Sequence, residues 1–245
     1  MALVHSWKNQ GKILFKYRGQ FPILLFVLVI PFLYCTDDIA EKSKIIWNSI
    51  AICCTIFGYI VRCYTIATTP KGTSGRNRDK QIADFLNSTG IYSLVRHPLY
   101  LGNYLIWIGI VIFSYNLYFI IIVSLLFWLY YERIMLVEEF FLQHKYGKRF
   151  LEWSELTPAF FPNFRHYIKS NIAFSFKTIL RREYSGLLAT VIGFVFIDLT
   201  RNYLLNGVFI IKDSFLVLLI IVCVLALILR SLKHYTNILT EKDRS

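Results

Sequence analysis

Long apolar runs without a single charged residue constrain this chain most. Phe21–Cys35 and Phe215–Leu229 contain no Asp, Glu, Lys or Arg, and 56% of all residues are hydrophobic. Soluble domains are about 45–50% apolar and lack the core volume to bury several such runs, whereas a bilayer accommodates them as spanning helices. The sequence therefore predicts an all-α, polytopic transmembrane helical bundle.

Six stretches are apolar enough to be membrane spans. They lie at about residues 21–36, 45–66, 99–114, 116–132, 185–204 and 213–232. The third and fourth are short and joined by Ser114-Tyr115-Asn116, which predicts a tight helical hairpin. We expect three parts: N-terminal spans in 1–66, a central core in 67–165, and a C-terminal linker with two spans in 166–245.

The basic residues are concentrated on one side of these spans. Four Lys or Arg precede the first span, five lie in 67–98 and nine in 133–184. The other side has Lys42 and Lys44, with Arg201 and Lys212 near its last loop. Since loops rich in Lys and Arg stay inside, both termini and both long segments are expected in the cytoplasm, with the spans in an inner or plasma membrane.

The partner indicated by the net charge of +12 is the anionic membrane surface. Most basic residues flank apolar runs, and no soluble domain is present to carry a nucleic-acid surface. The sequence therefore predicts no nucleic-acid partner. The five cysteines have no metal-ligand spacing with His, so no metal site is predicted either.

Two polar clusters flank the predicted hairpin on the same membrane side. Arg96-His97-Pro98 enters it, and Pro at the first helical turn leaves free backbone N–H groups there. Glu138-Glu139 leaves it, on a predicted amphipathic helix over Glu132–Trp153. Each cluster alone is typical of a topology anchor or a solvated helix face. Their joint position predicts a pocket on the cytoplasmic side, formed by loops and the amphipathic helix.

Residues 89–102 resemble the Gly-x-Tyr-x-x-x-Arg-His-Pro-x-Tyr-x-Gly signature of the isoprenylcysteine carboxyl methyltransferase family. Residues 138–153 are similar to its Glu-Glu-x-x-Leu-x-x-x-Phe-Gly-x-x-Tyr-x-x-Tyr element. The resemblance covers roughly residues 70–165 and extends to the related phospholipid methyltransferases. It implies an integral membrane methyltransferase that uses S-adenosylmethionine and acts on a membrane lipid or a lipidated substrate.

Carried over by motif position, the resemblance implies a set of cofactor-binding residues. These are Asp84, Phe85, Leu86, Asn87, Tyr92, His97, Tyr100 and Glu138. Methyl transfer is an in-line displacement, so alignment and electrostatics supply most of the catalysis. A sulfonium cation favours aromatic or carboxylate neighbours, which this set contains.

The residues expected to handle the acceptor are Arg96, Arg133 and Glu139. The family places an arginine four residues before its cofactor glutamate, where this chain has Ile134, and Arg133 is adjacent. Arg62 is a further candidate for an anion clamp. Three acceptors stay open: a lipid phosphate, a headgroup amine, for which Glu139 would serve as base, and a lipidated carboxylate.

Two other function classes compete with this interpretation. A membrane reductase using NADPH would share the scaffold, but the paired Arg-Asp and Cys elements of such enzymes are missing from the sequence. A non-catalytic transport or assembly protein would explain the spans but leave both motifs without a role. The methyltransferase is the favoured interpretation.

Overall fold

Eight α-helices form the described part of the chain. The computed structural model describes residues 3–20, 23–70, 72–73 and 83–241. The helices are α1 (Leu3–Lys16), α2 (Ile23–Tyr34), α3 (Glu41–Ala67), α4 (Pro98–Ile112), α5 (Leu117–Tyr146), α6 (Lys148–Leu156), α7 (Phe176–Asn206) and α8 (Asp213–Tyr235). No strand occurs among the described residues, so the predicted all-α class is confirmed.

Each predicted span falls on a helix of the structure. Four helices, α3, α5, α7 and α8, are long and apolar enough to cross a membrane. The other two predicted spans correspond to the shorter apolar helices α2 and α4. Six spans are therefore compatible with the structure. Of the loop cations used to predict orientation, Lys71, Arg76, Arg78 and Lys80 lie outside the described residues.

Helix α3 has its apolar side chains outside and its small or polar ones inside. Ile52, Ile56 and Ile60 are more than half exposed, whereas Ala51 and Thr55 are buried. A soluble helix would show the opposite arrangement. Lipid-facing aliphatic side chains and small residues at helix interfaces are what a bilayer favours, which supports an integral membrane protein.

Glycines allow α3 and α4 to approach closely. A Cβ on Gly58 would lie 2.8 Å from the carbonyl oxygen of Gly102, and one on Gly109 would lie 2.6 Å from the carbonyl of Ala51. Real Cβ atoms are not found at such distances. The close contact between α3 and α4 therefore depends on these glycines, as in other membrane helix pairs built on small residues.

The predicted hairpin is formed by α4 and α5. Tyr115 turns the chain with a positive φ of 61°. Asn116 then caps α5 by accepting a hydrogen bond from the backbone N–H of Phe119 (2.9 Å), and its amide donates to the hydroxyl of Thr36 (2.8 Å). The turn is thereby fixed to the end of α2.

The predicted continuous amphipathic helix over residues 132–153 is wrong at Gly147. There α5 ends at Tyr146 and α6 begins at Lys148. Gly147 has φ 53° and ψ −125°, a conformation that residues with a Cβ rarely adopt. The chain changes direction at this glycine, so that α6 leads into the segment that packs beside His97.

Candidate active site

The loop before α4 is held by backbone pairing with the segment after α6. The N–H groups of Arg96 and His97 donate to the carbonyls of Pro158 (2.9 Å) and Ala159 (3.1 Å), and the N–H of Asn163 donates to the carbonyl of Leu94 (2.8 Å). Residues 157–162 thereby form a wall beside the candidate site.

All three guanidinium nitrogens of Arg96 donate hydrogen bonds that hold this wall in place. Its Nε and Nη2 donate to Glu139 (2.8 and 3.2 Å), and its Nη1 donates to the carbonyls of Ser154 and Thr157 (2.7 Å each). Such charge-assisted bonds are the strong ones. Arg96 therefore joins the loop before α4 to both α5 and the end of α6.

His97 lies between the two neighbouring glutamates of α5. Its Nε2 donates to Glu139 Oε1 (2.9 Å), and its Nδ1 is 3.5 Å from Glu138 Oε2. Burial disfavours the charged ring, but the hydrogen bonds and charges of Glu138 and Glu139 outweigh it, so the pKa of His97 is raised. The His97 ring thus bridges the carboxylates of two neighbouring residues.

Glu138 faces the interior of the site. Its Oε1 accepts a hydrogen bond from the hydroxyl of Tyr100 (2.7 Å), and Arg18, which follows α1, is 3.8 Å away. The Tyr100 ring stacks on His97 with 5.6 Å between centroids. A carboxylate and aromatic faces are therefore presented together at one point.

These groups line a cavity of about 520 Å³. This volume lies within the roughly 300–1,000 Å³ typical of small-molecule sites. Seven of the eight predicted cofactor-binding residues line it: Phe85, Leu86, Asn87, Tyr92, His97, Tyr100 and Glu138. Tyr92 is partly buried at its wall, and desolvation there raises the pKa of its hydroxyl to about 12, so it is a neutral hydrogen-bonding group.

The structure places the remaining predicted residues in different positions. Asp84 is not among the lining residues, and its N–H donates to the carbonyl of Gly72 (2.8 Å). Glu139 lies behind His97, and Arg96 lines the cavity. Arg133 does not line it: its guanidinium stacks on Trp7 (4.5 Å) and pairs with Glu132 (2.8 Å).

The deeper wall contains a charged network of which only Arg62 was predicted from the sequence. Arg62 donates to both carboxylate oxygens of Glu183 (2.8 and 2.7 Å) and to Asn103, whose amide donates to Tyr131 (3.2 Å). Charges inside apolar helices are costly unless paired. That rule points to Arg62 and Glu183 as partners, because both lie in or beside predicted spans.

Arg18 and Arg182 also line the cavity and were not predicted. Arg18 reaches it because α1 packs along α5: Tyr130 donates to the carbonyl of Leu14 (3.2 Å). No motif in residues 1–20 indicates this contact. Arg182 is buried near the start of α7, where the sequence shows only a run of flanking cations.

Comparison with known proteins agrees with the two motifs. A family model for phospholipid methyltransferases matches residues 47–149. The central part of this chain resembles the phospholipid methyltransferase family. The matched segment runs from α3 through the loop before α4 and along α5 to the start of α6, so it contains His97, Glu138 and Glu139. The resemblance predicted from the sequence is confirmed.

Two curated relatives also match part of this chain. A protein-S-isoprenylcysteine O-methyltransferase from Xenopus laevis is 27% identical over 124 residues, covering 50% of this chain and 43% of that protein. The cobalt-zinc-cadmium resistance protein CzcN of Cupriavidus metallidurans is 37% identical over 82 residues, covering 34% and 38%. The chain thus spans less than half the length of either relative. No solved structure matches it.

Proposed function

We propose that this protein is an integral membrane methyltransferase that uses S-adenosylmethionine to modify a lipid or lipid-linked acceptor at the cytoplasmic face. The observation that carries the proposal is the convergence of Tyr92, His97, Tyr100 and Glu138 on one cavity. These residues come from both motifs of the family resemblance.

The cavity fits this cofactor in size and in chemistry. When bound, S-adenosylmethionine supplies an electrophilic methyl group on a sulfonium. Glu138 provides a carboxylate for its positive charges, and the rings of Tyr92 and Tyr100 provide aromatic faces. Asn87 and the loop over 85–87 offer backbone and amide groups for its polar end. The chain's own task is alignment, which alone supplies much of the acceleration of a displacement reaction.

Glu139 and Arg96 are positioning residues in this proposal. Glu139 holds His97 on one side and Arg96 on the other, and Arg96 fixes the wall formed by residues 157–162. With its carboxylate already hydrogen-bonded to both Arg96 and His97, Glu139 is poorly placed to act as a base. The structure thus favours a supporting role over the base role considered from the sequence.

An acceptor from the bilayer suits the apolar part of the lining. Ile66, Leu99, Phe141 and Leu142 line the cavity beside the charged groups. Apolar groups next to a charged network suit an amphiphile, whose chain stays in lipid while its polar group reaches the site. The cytoplasmic location follows from the basic loops and from the intracellular supply of the methyl donor.

The first test is cofactor binding by the detergent-purified full chain. S-adenosylmethionine or S-adenosylhomocysteine at about a hundredfold Kd stabilises a folded protein by about 2.7 kcal/mol, which raises Tm by several degrees. NADPH should have no effect. The shift should be lost in His97→Ala and reduced in Glu138→Gln, while Lys169→Gln, an exposed cation outside the cavity lining, should behave as wild type. No shift with either methyl-cycle ligand, or a shift with NADPH, would overturn the proposal.

The second test identifies the acceptor class. Labelled methyl transfer into extracted membranes, followed by separate mild alkaline and acid hydrolysis, distinguishes methyl esters from N-methyl products. Methanol released by mild alkali indicates a carboxylate acceptor. Label that resists both treatments indicates an amine if it stays with a basic product and a phosphate if it stays with a phosphorus-containing acid. Absence of protein-dependent label in the lipid fraction and in lipidated proteins contradicts a lipid-directed enzyme.

A further inference from the structure

A second cavity, of about 340 Å³, lies at the opposite end of the bundle from His97. Tyr115, in the turn between α4 and α5, is one of its lining residues. Because an α-helix rises about 1.5 Å per residue, the 15-residue α4 separates this turn from His97 by roughly 22 Å. This cavity is therefore distinct from the candidate active site and independent of the proposed function.

Its walls are almost entirely polar. Among the lining residues, Leu205 has the only aliphatic side chain. Three cations, Lys44, Arg201 and Lys212, line it together with two carboxylates, Asp38 and Asp198. An apolar ligand has no matching surface here. A polar or charged ligand does.

Two of the cations are neutralised by the carboxylates. Lys44 Nζ lies 2.9 Å from Asp38, and Lys212 Nζ lies 3.1 Å from Asp198, which is buried. The third, Arg201, stacks over Tyr115 (3.9 Å), and its Nη2 donates to the carbonyl of Phe113. Its buried Nε has no hydrogen-bond partner within the part of the chain that the structure describes.

The lining residues alone thus keep one net positive charge, and Glu41, outside the lining, also pairs with Lys44 (2.8 Å). Arg201 retains unused donor capacity at its Nε. Buried donors are nearly always satisfied, so an unsatisfied one needs an explanation. A cation would meet three positive side chains, and both lining carboxylates are already paired with lysines, whereas an anion would meet the guanidinium of Arg201. Arginine binds phosphate with paired donors better than lysine does.

Topology alone does not explain this cluster. The sequence predicts only four Lys or Arg on this membrane side, and three of them, all but Lys42, line this cavity. We propose that the cavity binds a phosphate group, carried by a lipid headgroup or free in solution. Its position, where α3 begins and α7 ends, is at the boundary of the apolar segments, where lipid headgroups lie.

The test compares phosphate sources on the detergent-purified full chain. The probes are dioctanoyl-phosphatidylglycerol, inorganic phosphate, and dioctanoylglycerol, which has the same chains without phosphate. Thermal shifts are read at ionic strength matched with chloride, and native mass spectrometry counts bound lipid. A shift with the phosphatidylglycerol alone identifies a lipid source, and a shift with inorganic phosphate identifies a free one.

The variants change the cavity charge in both directions. Lys212→Gln should weaken the apparent affinity about fivefold, as expected from losing a charge about 4 Å from the anion in a water-like medium. Asp198→Asn should strengthen it by a similar factor, because it removes a competing carboxylate. Arg201→Gln should abolish binding, and Lys42→Gln, outside the cavity, should leave it unchanged.

Several results would overturn the proposal. These are no shift with either phosphate probe, an equal shift with dioctanoylglycerol, or identical affinities in wild type, Lys212→Gln and Asp198→Asn. If Arg201→Gln fails to fold, the other two variants decide. The response to S-adenosylhomocysteine should be the same in all folded variants, so that loss of phosphate binding is distinguishable from damage to the active site.

Discussion

Replacing Glu138 or Glu139 by glutamine should show which carboxylate stabilises the fold and which one binds the ligand. Glu139 holds Arg96 (2.8 and 3.2 Å) and His97 (2.9 Å). Glu138 faces the cavity and is held mainly by the Tyr100 hydroxyl (2.7 Å). Glu139→Gln should therefore cost stability, whereas Glu138→Gln should cost ligand affinity.

The size of the stability loss follows from burial. The side chains of Arg96 and Glu139 are 15% and 25% exposed, so the pair is largely but not fully shielded. Removing one member of a fully buried pair costs about 3–5 kcal/mol, and the remaining exposure together with the amide oxygen of Gln lowers this. We expect about 2–3 kcal/mol for Glu139→Gln. For Glu138→Gln we expect about 1 kcal/mol, because its contacts with His97 (3.5 Å) and Arg18 (3.8 Å) are longer and its hydrogen bond from Tyr100 is weakened but not lost.

The assay is a thermal melt of wild type and both variants, with and without S-adenosylhomocysteine. For a chain of this size about 1 kcal/mol corresponds to roughly 2–4 °C, so Glu139→Gln should melt roughly 4–12 °C below wild type. Its Kd, measured at low temperature where it is folded, should change less than that of Glu138→Gln. The reasoning is refuted if Glu138→Gln loses more stability than Glu139→Gln, or if it binds as tightly as wild type.

Three further predictions concern pH, packing and topology. The raised pKa of His97 means that its stabilisation is complete below its unfolded pKa of about 6.5 and is lost as pH rises through the folded value. The Tm difference between wild type and His97→Gln should thus narrow from about pH 6 to about pH 9; a gap that widens contradicts this. Gly109→Ala should lower the free energy of unfolding by about 1–3 kcal/mol, because its Cβ would lie 2.6 Å from a backbone carbonyl oxygen. The control Gly186→Ala, whose Cβ would have 3.8 Å of clearance, should not. Equal melting temperatures of the two variants would disprove the close helix contact. In a cysteine-free background of sealed inside-out vesicles, an impermeant thiol reagent should label Lys169→Cys but not Val208→Cys, and the reverse pattern would invert the topology.

The site could be predicted from sequence where its residues belong to the two motifs that flank the hairpin. His97, Tyr100 and Glu138 stand at fixed spacings around a short hairpin, and the hairpin brings them together. The role of Arg96 was harder to predict, because its acceptors include the carbonyls of Ser154 and Thr157. Backbone groups carry no sequence signature.

Other features escaped prediction because they depend on contacts distant in sequence or on a single backbone angle. Arg18 enters the cavity only through the packing of α1 on α5. The break at Gly147 interrupts a pattern that continues in amphipathic register on both sides, so periodicity alone could not reveal it. Arg133 adjoins Ile134, the position of the family's arginine, but its side chain packs against α1, away from the cavity.

The contact between α1 and α5 also sets an order of assembly. Arg133 of α5 donates to Gln10 of α1 (3.4 Å), 123 positions earlier in the chain. At about 5–20 residues per second, α1 leaves the ribosome roughly 6–25 s before its binding surface exists. Its basic and apolar faces suit it to rest on the bilayer surface during that interval. The wall that carries Arg18 is thus synthesised before the helix surface on which it docks, so this side of the site closes only after α5 has been made.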